Sequence, residues 1–192
     1  LVATPMGNLE DLSPRALKVL REVDRVYCED TRTTGSLLSH YGVQAKVVSC
    51  HEHNEAKRAE EIVAALFEHD VALVSDAGTP VISDPGYRVV HAVKEAGFNV
   101  VAIPGCCAVV NALVSSGLPP EPFQFIGFLP SKVSKRDAVL TELVHCPMTT
   151  VCYESTHRMV ATLDSLKSIL PTRQIALCKE LTKLHEAVIV GT

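Results

Sequence analysis

Tryptophan is absent from this chain, and aromatic residues make up only 5% of it. Extensive stacking on nucleobases is therefore not its main way of holding a partner. Positive charge is not in excess: 18 Lys and Arg stand against 22 Asp and Glu, a net −4. A globally basic nucleic-acid binder is excluded, and a polyanionic partner would need a local basic patch. No apolar run reaches the ~18 residues of a membrane-spanning helix, and no signal peptide is visible. Seven cysteines are present but no C-x-x-C pair, which argues against a structural zinc site. Their number is odd and several lie in apolar strand patterns, as buried free thiols do; a reducing, cytoplasmic setting is expected. Neither G-x-G-x-x-G nor G-x-x-x-x-G-K-[ST] occurs, so the ordinary dinucleotide fingerprint and the P-loop are excluded.

What remains is a chain of 192 residues, 47% hydrophobic and 21% charged, enough for one large domain or two small ones with a sizeable core. It opens inside an apolar stretch and stops straight after a strand pattern, so residues are expected beyond both ends. Strand patterns at Leu1–Ala3, Val26–Cys28, Lys46–Cys50, Val71–Val74 and Asn99–Ile103 alternate with helical ones. Ser13 with Pro14 opens a helix to about Glu22, Gly35–Tyr41 is a second, and Asn54 caps a third with Ala59, Ile62, Val63, Leu66 and Phe67 on one face. Asp84 and Pro85 open a fourth to Ala96, and Cys106–Ser116 reads as a fifth. This alternation predicts an α/β domain over residues 1–117 with a mainly parallel five-stranded sheet. Three prolines within 118–122 predict a linker. Residues 123–192 predict a second α/β domain, with strands at Phe123–Phe128, Met148–Tyr153, Arg173–Cys178 and Ala187–Val190. Its helices are expected from a capping-box-like Ser134 and Asp137, and from Thr156 to Leu170.

Chemistry is expected in the loops. Thr4–Asn8, Glu29–Arg32, His51–Asn54, Ser75–Gly86 and Pro104–Gly105 all follow first-domain strands, and a parallel sheet puts them at one edge. Ser75–Gly86 is the longest. Such connections usually run about 2–6 residues, and a plain helix cap explains Asp84-Pro85-Gly86 but not the segment before it. Glu29 and Asp30 offer a general base, with Arg32 a cation beside them; a surface salt bridge explains them equally well. Two imidazoles at His51 and His53 lack a third ligand, so no metal is expected. Cys106-Cys107 are read as small packing residues rather than nucleophiles. Tyr153–Arg158 carries polar side chains beyond a second-domain strand, with a helix cap the competing explanation.

The segments ATPMGNL, CEDTR, HEHNE, VSDAGTPVISDPGYR, IPG, FLPSK, YESTHR and KELTKLHE, in this order, resemble the bacterial small-subunit (16S) ribosomal RNA cytidine 2′-O-ribose methyltransferases, a branch of the tetrapyrrole methylase superfamily. The resemblance implies two α/β domains of the tetrapyrrole methylase type, the second with a mixed sheet. It implies S-adenosylmethionine as methyl donor, held between the domains, and commonly a homodimer. By motif, the donor contacts would be Pro5, Asp76, Ala77, Gly78, Thr79, Ile82, Ser83, Ser115, Ser116, Tyr153 and Glu154. Where the family has Pro-Ser after the Pro-Gly turn, this chain has Cys106-Cys107.

The implied reaction is in-line displacement at the sulfonium methyl by a ribose 2′-hydroxyl, with much of the rate supplied by positioning. Glu29 or Asp30 would take the hydroxyl proton, with Arg32 on RNA phosphate or orienting the carboxylate, and Glu154 is the second choice of base. The acceptor would be the small ribosomal subunit or its RNA. Arg15, Lys18, Arg21 and Arg25, or Lys132, Lys135 and Arg136, would meet its phosphates. Two other readings compete: a methyltransferase acting on a tetrapyrrole precursor, and a non-catalytic RNA-binding ribosome-assembly factor. No membrane partner and no metal are expected.

Overall fold

The computed structural model describes residues 1–192. Packing divides them into two units, Leu1–Cys107 and Ala108–Thr192. The division falls ahead of the proline-rich 118–122, because the helix at Ala108–Ser115 packs on a second-unit strand and belongs with it.

The first unit runs α1 (Pro14–Glu22), β1 (Arg25–Cys28), α2 (Thr31–His40), β2 (Lys46–Ser49), α3 (Glu55–Ala65), β3 (Val71–Leu73) and α4 (Tyr87–Glu95). Three strands are fully paired, all parallel, in the order β2-β1-β3. The five-stranded sheet expected from the sequence is thus reduced. Its other two members join through single parallel bridges from Val2 to Val74 and to Ile103. The Leu1 amino group donates to the Val101 carbonyl at 2.8 Å, and the Ile103 N–H donates to the Leu1 carbonyl at 2.8 Å. The direction of chain travel is therefore the one predicted, while continuous pairing is not reached on that side.

Alternation along the strands explains the two cores. Val26, Cys28, Ala72 and Val74 face α1 and α2 through Ala16, Leu20 and Leu38. Tyr27 and Leu73 face the other way, onto Ala59 and Ile62 of α3 and Val89 and Val93 of α4. A parallel sheet covered on both faces needs such apolar runs. Ser13 caps α1 as expected, its Oγ accepting the Ala16 N–H at 3.1 Å with Pro14 at the first position. α2 starts earlier than predicted, because the Asp30 side chain accepts the Arg32 N–H and caps it. α4 starts later, with Gly86 at the cap rather than Asp84. Its first N–H groups are held from another helix. Oε1 of the buried Glu55 accepts from Gly86 N–H at 2.9 Å and Arg88 N–H at 2.8 Å.

The second unit runs α5 (Ala108–Ser115), β4 (Phe123–Phe128), α6 (Val133–Glu142), β5 (Thr149–Tyr153), α7 (Met159–Ile169), β6 (Ile175–Lys179) and β7 (Ala187–Gly191). The expected mixed sheet is instead two pairs, β4 with β5 in parallel and β6 with β7 antiparallel. A cavity of about 700 Å³ lies where one sheet would join the other, lined by β5 and by Ile175–Cys178 of β6. Two local expectations are corrected. α6 begins at Val133 with Lys132 as an N-cap that makes no side-chain bond, so the Ser134–Asp137 box does not form. Thr156 starts a single 3-10 turn, and α7 follows from Met159. All seven cysteines are free thiols, with Cys28 and Cys50 buried.

Candidate functional site

Because the strands of the first unit run parallel, its five polar loops leave from one edge. Four of them are stitched to one another. Thr4 and Gly78 exchange backbone hydrogen bonds of 2.9 and 3.0 Å. The buried Thr4 hydroxyl donates to the Ser75 carbonyl at 3.0 Å, and the Ser75 hydroxyl donates to the Gly78 carbonyl at 3.0 Å. The Thr79 hydroxyl donates to the Cys106 carbonyl at 2.8 Å. Asp76 Oδ1 accepts the Asp30 N–H at 3.1 Å. The loops after Leu1–Ala3, β1, β3 and Asn99–Ile103 therefore hold one another, with Ser75–Gly86 at the centre. The His51–Asn54 loop closes on itself instead: Asn54 Oδ1 accepts the His51 N–H at 2.9 Å. The two imidazoles stand 5.9 Å apart, edge to face.

The central loop is strained where it turns. Val81 has φ +76° and Ser83 φ +63°, a region that a β-branched residue avoids at a cost of about 1–3 kcal/mol. Strain of this kind persists where the surroundings over-determine it, and it gathers at ligand sites. Of the motif residues in this unit, Pro5 and Gly78 are buried, Asp76 and Thr79 half-buried, and Ala77, Ile82 and Ser83 exposed.

The two candidate bases differ. Asp30 binds the Arg32 guanidinium through both oxygens, at 3.1 and 2.8 Å, while capping α2. Those bonds from Arg32 hold its carboxyl down at about 2, which makes it a weak proton acceptor. Glu29 is exposed at the same rim. Sequence reasoning gives Asp84 as a helix cap and a polar contact of the loop, but not as a carboxyl with a raised proton affinity. Burial, then the charges of Glu29 and Asp76, raise its carboxyl to about 6, against an opposing bond from Ser75. No sequence pattern marks that shift, since it arises from carboxylates brought together by three separate segments. The rim is thus acidic and suits a cationic ligand. A cavity of about 370 Å³ in this unit lies at the opposite edge, beside Leu1, Asp70, Val71 and Asn99 at the amino ends of the strands. It gathers none of the five polar loops and is not the candidate site.

In the second unit Ser116, Tyr153 and Glu154 line the 700 Å³ cavity together. Ser116 also closes α5, its Oγ donating to the Leu113 carbonyl and accepting the Leu118 N–H. Ser115 is exposed and turns back onto the Asn111 carbonyl at 2.7 Å. The Glu154 side chain is 5% exposed and fully engaged. Oε1 accepts from the Ser155 N–H at 2.7 Å and pairs with Arg158 at 2.6 Å, and Oε2 accepts from the Thr162 hydroxyl at 2.6 Å. Burial would raise this carboxyl, but the bonds from Thr162, Ser155 and Arg158 outweigh it and hold it low. A carboxylate so occupied positions its neighbours better than it takes protons. Arg136 is also removed from the cations expected to meet phosphate. It is 2% exposed and its guanidinium is spent on Ser165 and the Ala161 carbonyl.

Comparison with known proteins gives this arrangement its context. The family model of the tetrapyrrole (corrin/porphyrin) methylases matches residues 1–192. The chain belongs to that family. It is 50% identical, over its whole length, to a protein of Halalkalibacterium halodurans named ribosomal RNA small subunit methyltransferase I, and covers 67% of it. Proteins of the same name from Escherichia coli O157:H7 and Synechocystis are each 46% identical, over 98% and 100% of this chain and 66% and 70% of theirs. The chain thus spans about two thirds of the length of these relatives. Among solved structures, uroporphyrin-III-C-methyltransferase from Thermus thermophilus matches with a TM-score of 0.63 at 23% identity, over 99% of this chain and 82% of that one. That likeness bears on the fold alone, and supports the methylase α/β architecture for a chain whose sheets are short.

Proposed function

We propose that this chain is the S-adenosylmethionine-dependent part of an enzyme that methylates a ribose 2′-hydroxyl of a cytidine in small-subunit ribosomal RNA. The observation that carries the reading is the hydrogen-bonded acidic rim of Thr4, Asp30, Asp76, Gly78 and Thr79 in a chain of the methylase family. The names of its relatives supply the acceptor. S-adenosylmethionine carries positive charge at sulfur and at its amino group, and the residues present suit it. Glu29, Asp76 and Asp84 provide negative charge and Gly78 brings backbone close. The second-unit cavity has the size and apolar lining of a small-molecule site.

The donor supplies a methyl group already activated by the sulfonium. The chain's own residues bind, orient and take a proton. Pro5, Asp76, Ala77, Gly78, Thr79, Ile82 and Ser83 are the proposed donor contacts of the first unit, and Ser115, Ser116, Tyr153 and Glu154 those of the second. Glu29 is the proposed acceptor of the 2′-hydroxyl proton. Asp30 holds Arg32 and starts α2, and Arg32, its side chain 90% exposed, is the proposed contact to phosphate. Lys132 and Lys135 extend the cationic surface, and the working form is proposed to be a homodimer in the cytoplasm.

The test incubates the full-length protein and methyl-labelled donor with small ribosomal subunits, naked ribosomal RNA and a tetrapyrrole precursor. The expected label is in RNA and survives alkali, because a 2′-O-methyl group blocks cleavage at that ribose. Label in the tetrapyrrole alone would replace this reading with the small-molecule one. Donor that fails to bind by calorimetry would favour a non-catalytic RNA-binding role.

A further inference from the structure

We propose that Phe128, backed by Tyr153, is a stacking platform for one unpaired base of the acceptor RNA, with Lys132 and Lys135 on the flanking phosphates. The proposal rests on the RNA-methylating reading above and adds a recognition surface to it.

The starting point is an irregularity in β4. Phe123, Gln124 and Phe125 pair in step with Thr149, Thr150 and Val151, but the next partner of Tyr153 is Phe128. β5 advances two residues while β4 advances three, so one residue is extra. Gly127 absorbs it with φ +69°, the left-handed geometry that glycine supplies in a bulge. The consequence is a change of face. Phe125 and Phe128, three residues apart, would point to opposite sides of a regular strand. With the bulge, both come to the side of Tyr153. Their ring centroids lie 4.9 and 5.3 Å from that of Tyr153, at 65° and 63°. Bulges re-aim side chains in this way beside active sites.

The outer ring of this cluster is open to solvent. Phe125 is half-buried, while Phe128 is 55% exposed and forms part of the wall of the 700 Å³ cavity. The bulge sets a large apolar ring against Tyr153 and leaves more than half of it open to solvent. A free aromatic face is what an unstacked base requires.

Charge selects the ligand. No acidic residue lies between Glu121 and Asp137. Lys132 and Lys135 are both exposed and stand outside the unit's ion pairs. The first turn of α6, which follows Lys132, has no side-chain cap and adds positive potential. The methyl donor is itself cationic at sulfur and nitrogen, so two lysines do not favour its adenine here. A polyanion carrying flat bases fits.

The test measures binding of a fluorescein-labelled single-stranded RNA oligonucleotide by anisotropy, across a salt series, beside donor binding by calorimetry. F128L keeps apolar volume and loses the aromatic face, so RNA should bind about 5- to 150-fold more weakly with an unchanged salt slope. F128W should bind RNA as the wild type does. The double change K132Q/K135Q should flatten the slope of log affinity against log salt by about 1.4, two phosphates at ~0.7 each for a single strand. Donor affinity should hold in K132Q/K135Q, and F128L should weaken RNA binding by more than donor binding. RNA binding that survives F128L, or that F128W fails to restore, overturns the platform. Loss of donor rather than RNA affinity in F128L assigns the ring to the donor instead, and overturns it too. A wild-type chain that binds no donor removes the methyltransferase reading through a separate measurement.

Discussion

Asp84 and Asp30 show how differently one residue type behaves on one rim. Asp84, driven by burial and by Glu29 and Asp76, titrates at about 6 against 3.8 for an ordinary aspartate. Between those values the folded state binds more protons than the unfolded one. The stability linked to this group is thus fully present below 3.8 and is lost as pH rises through about 6. The distance between the two values bounds that loss at about 3 kcal/mol, and solvent screening of a half-buried carboxyl brings it lower. D84N, neutral at every pH, should flatten the fall in denaturation midpoint between about pH 4 and 7 and raise the midpoint at about pH 8. A midpoint there equal to wild type would show that the carboxylate is not destabilising. Asp30 has the opposite sign, with its carboxyl held at about 2 by Arg32, and works as a cap and an anchor. E29Q should therefore slow single-turnover methylation at saturating donor by about 10²- to 10⁴-fold. D30N, which keeps a capping oxygen, should change it far less. Equal rates in E29Q and wild type would take Glu29 out of the mechanism. The sequence marked Glu29-Asp30-Thr31-Arg32 as a place for chemistry, but it could not rank the two acids. The ranking depends on which carboxylate the guanidinium reaches and on which segments crowd Asp84.

At the scale of elements, helices with a signal written beside them were legible and those capped from afar were not. Ser13-Pro14 set the start of α1. The start of α2 was obscured because Thr31, Thr33, Thr34 and Gly35 are poor helix formers, and the Asp30 cap outweighs them. α4 is the clearest case. Its N–H groups are satisfied by Glu55, far off in sequence, while Asp84, the adjacent cap candidate, is drawn into the loop instead. E55A leaves the buried Gly86 N–H and the partly buried Arg88 N–H without their partner and should cost about 1–3 kcal/mol, lowering the melting midpoint by about 2–4 °C per kcal/mol. E55Q retains an acceptor oxygen and should lose less. A midpoint unchanged in E55A would mean that water replaces the carboxylate freely. Gly86 offers little room for relief, since a Cβ there would stand 2.9 Å from Leu73 Cδ2 and 3.0 Å from Val81 Cγ2 at φ +131°. Strand pairing was the least legible feature. Apolar runs announce strands but not which strands pair: a cavity walled by residues of β5, β6, α5 and α7 stands where one sheet was expected.

For the whole molecule, the order of the motifs along the chain carried more than composition did, because composition only excluded classes while the loops fixed what converges. The acidic rim makes a global prediction. A donor that binds the native chain at about 100 times its dissociation constant adds about 2.7 kcal/mol to stability, and so should raise the melting midpoint by several degrees. The neutral sulfoxide analogue of methionine joined to adenosine lacks the sulfonium charge and should raise it less. Asp76 is the discriminating position, since its Oδ1 also holds the Asp30 N–H. D76N keeps that acceptor oxygen and removes only the negative charge. The free protein should then melt near the wild-type midpoint, while the donor-induced rise shrinks by the energy of one charge-assisted contact, about 1.5–3 kcal/mol. A full donor-induced rise in D76N would mean that shape and backbone, rather than charge, select the ligand. A fall in the free-protein midpoint with the increment intact would place Asp76 in the scaffold that joins the β1 and β3 loops and not against the donor.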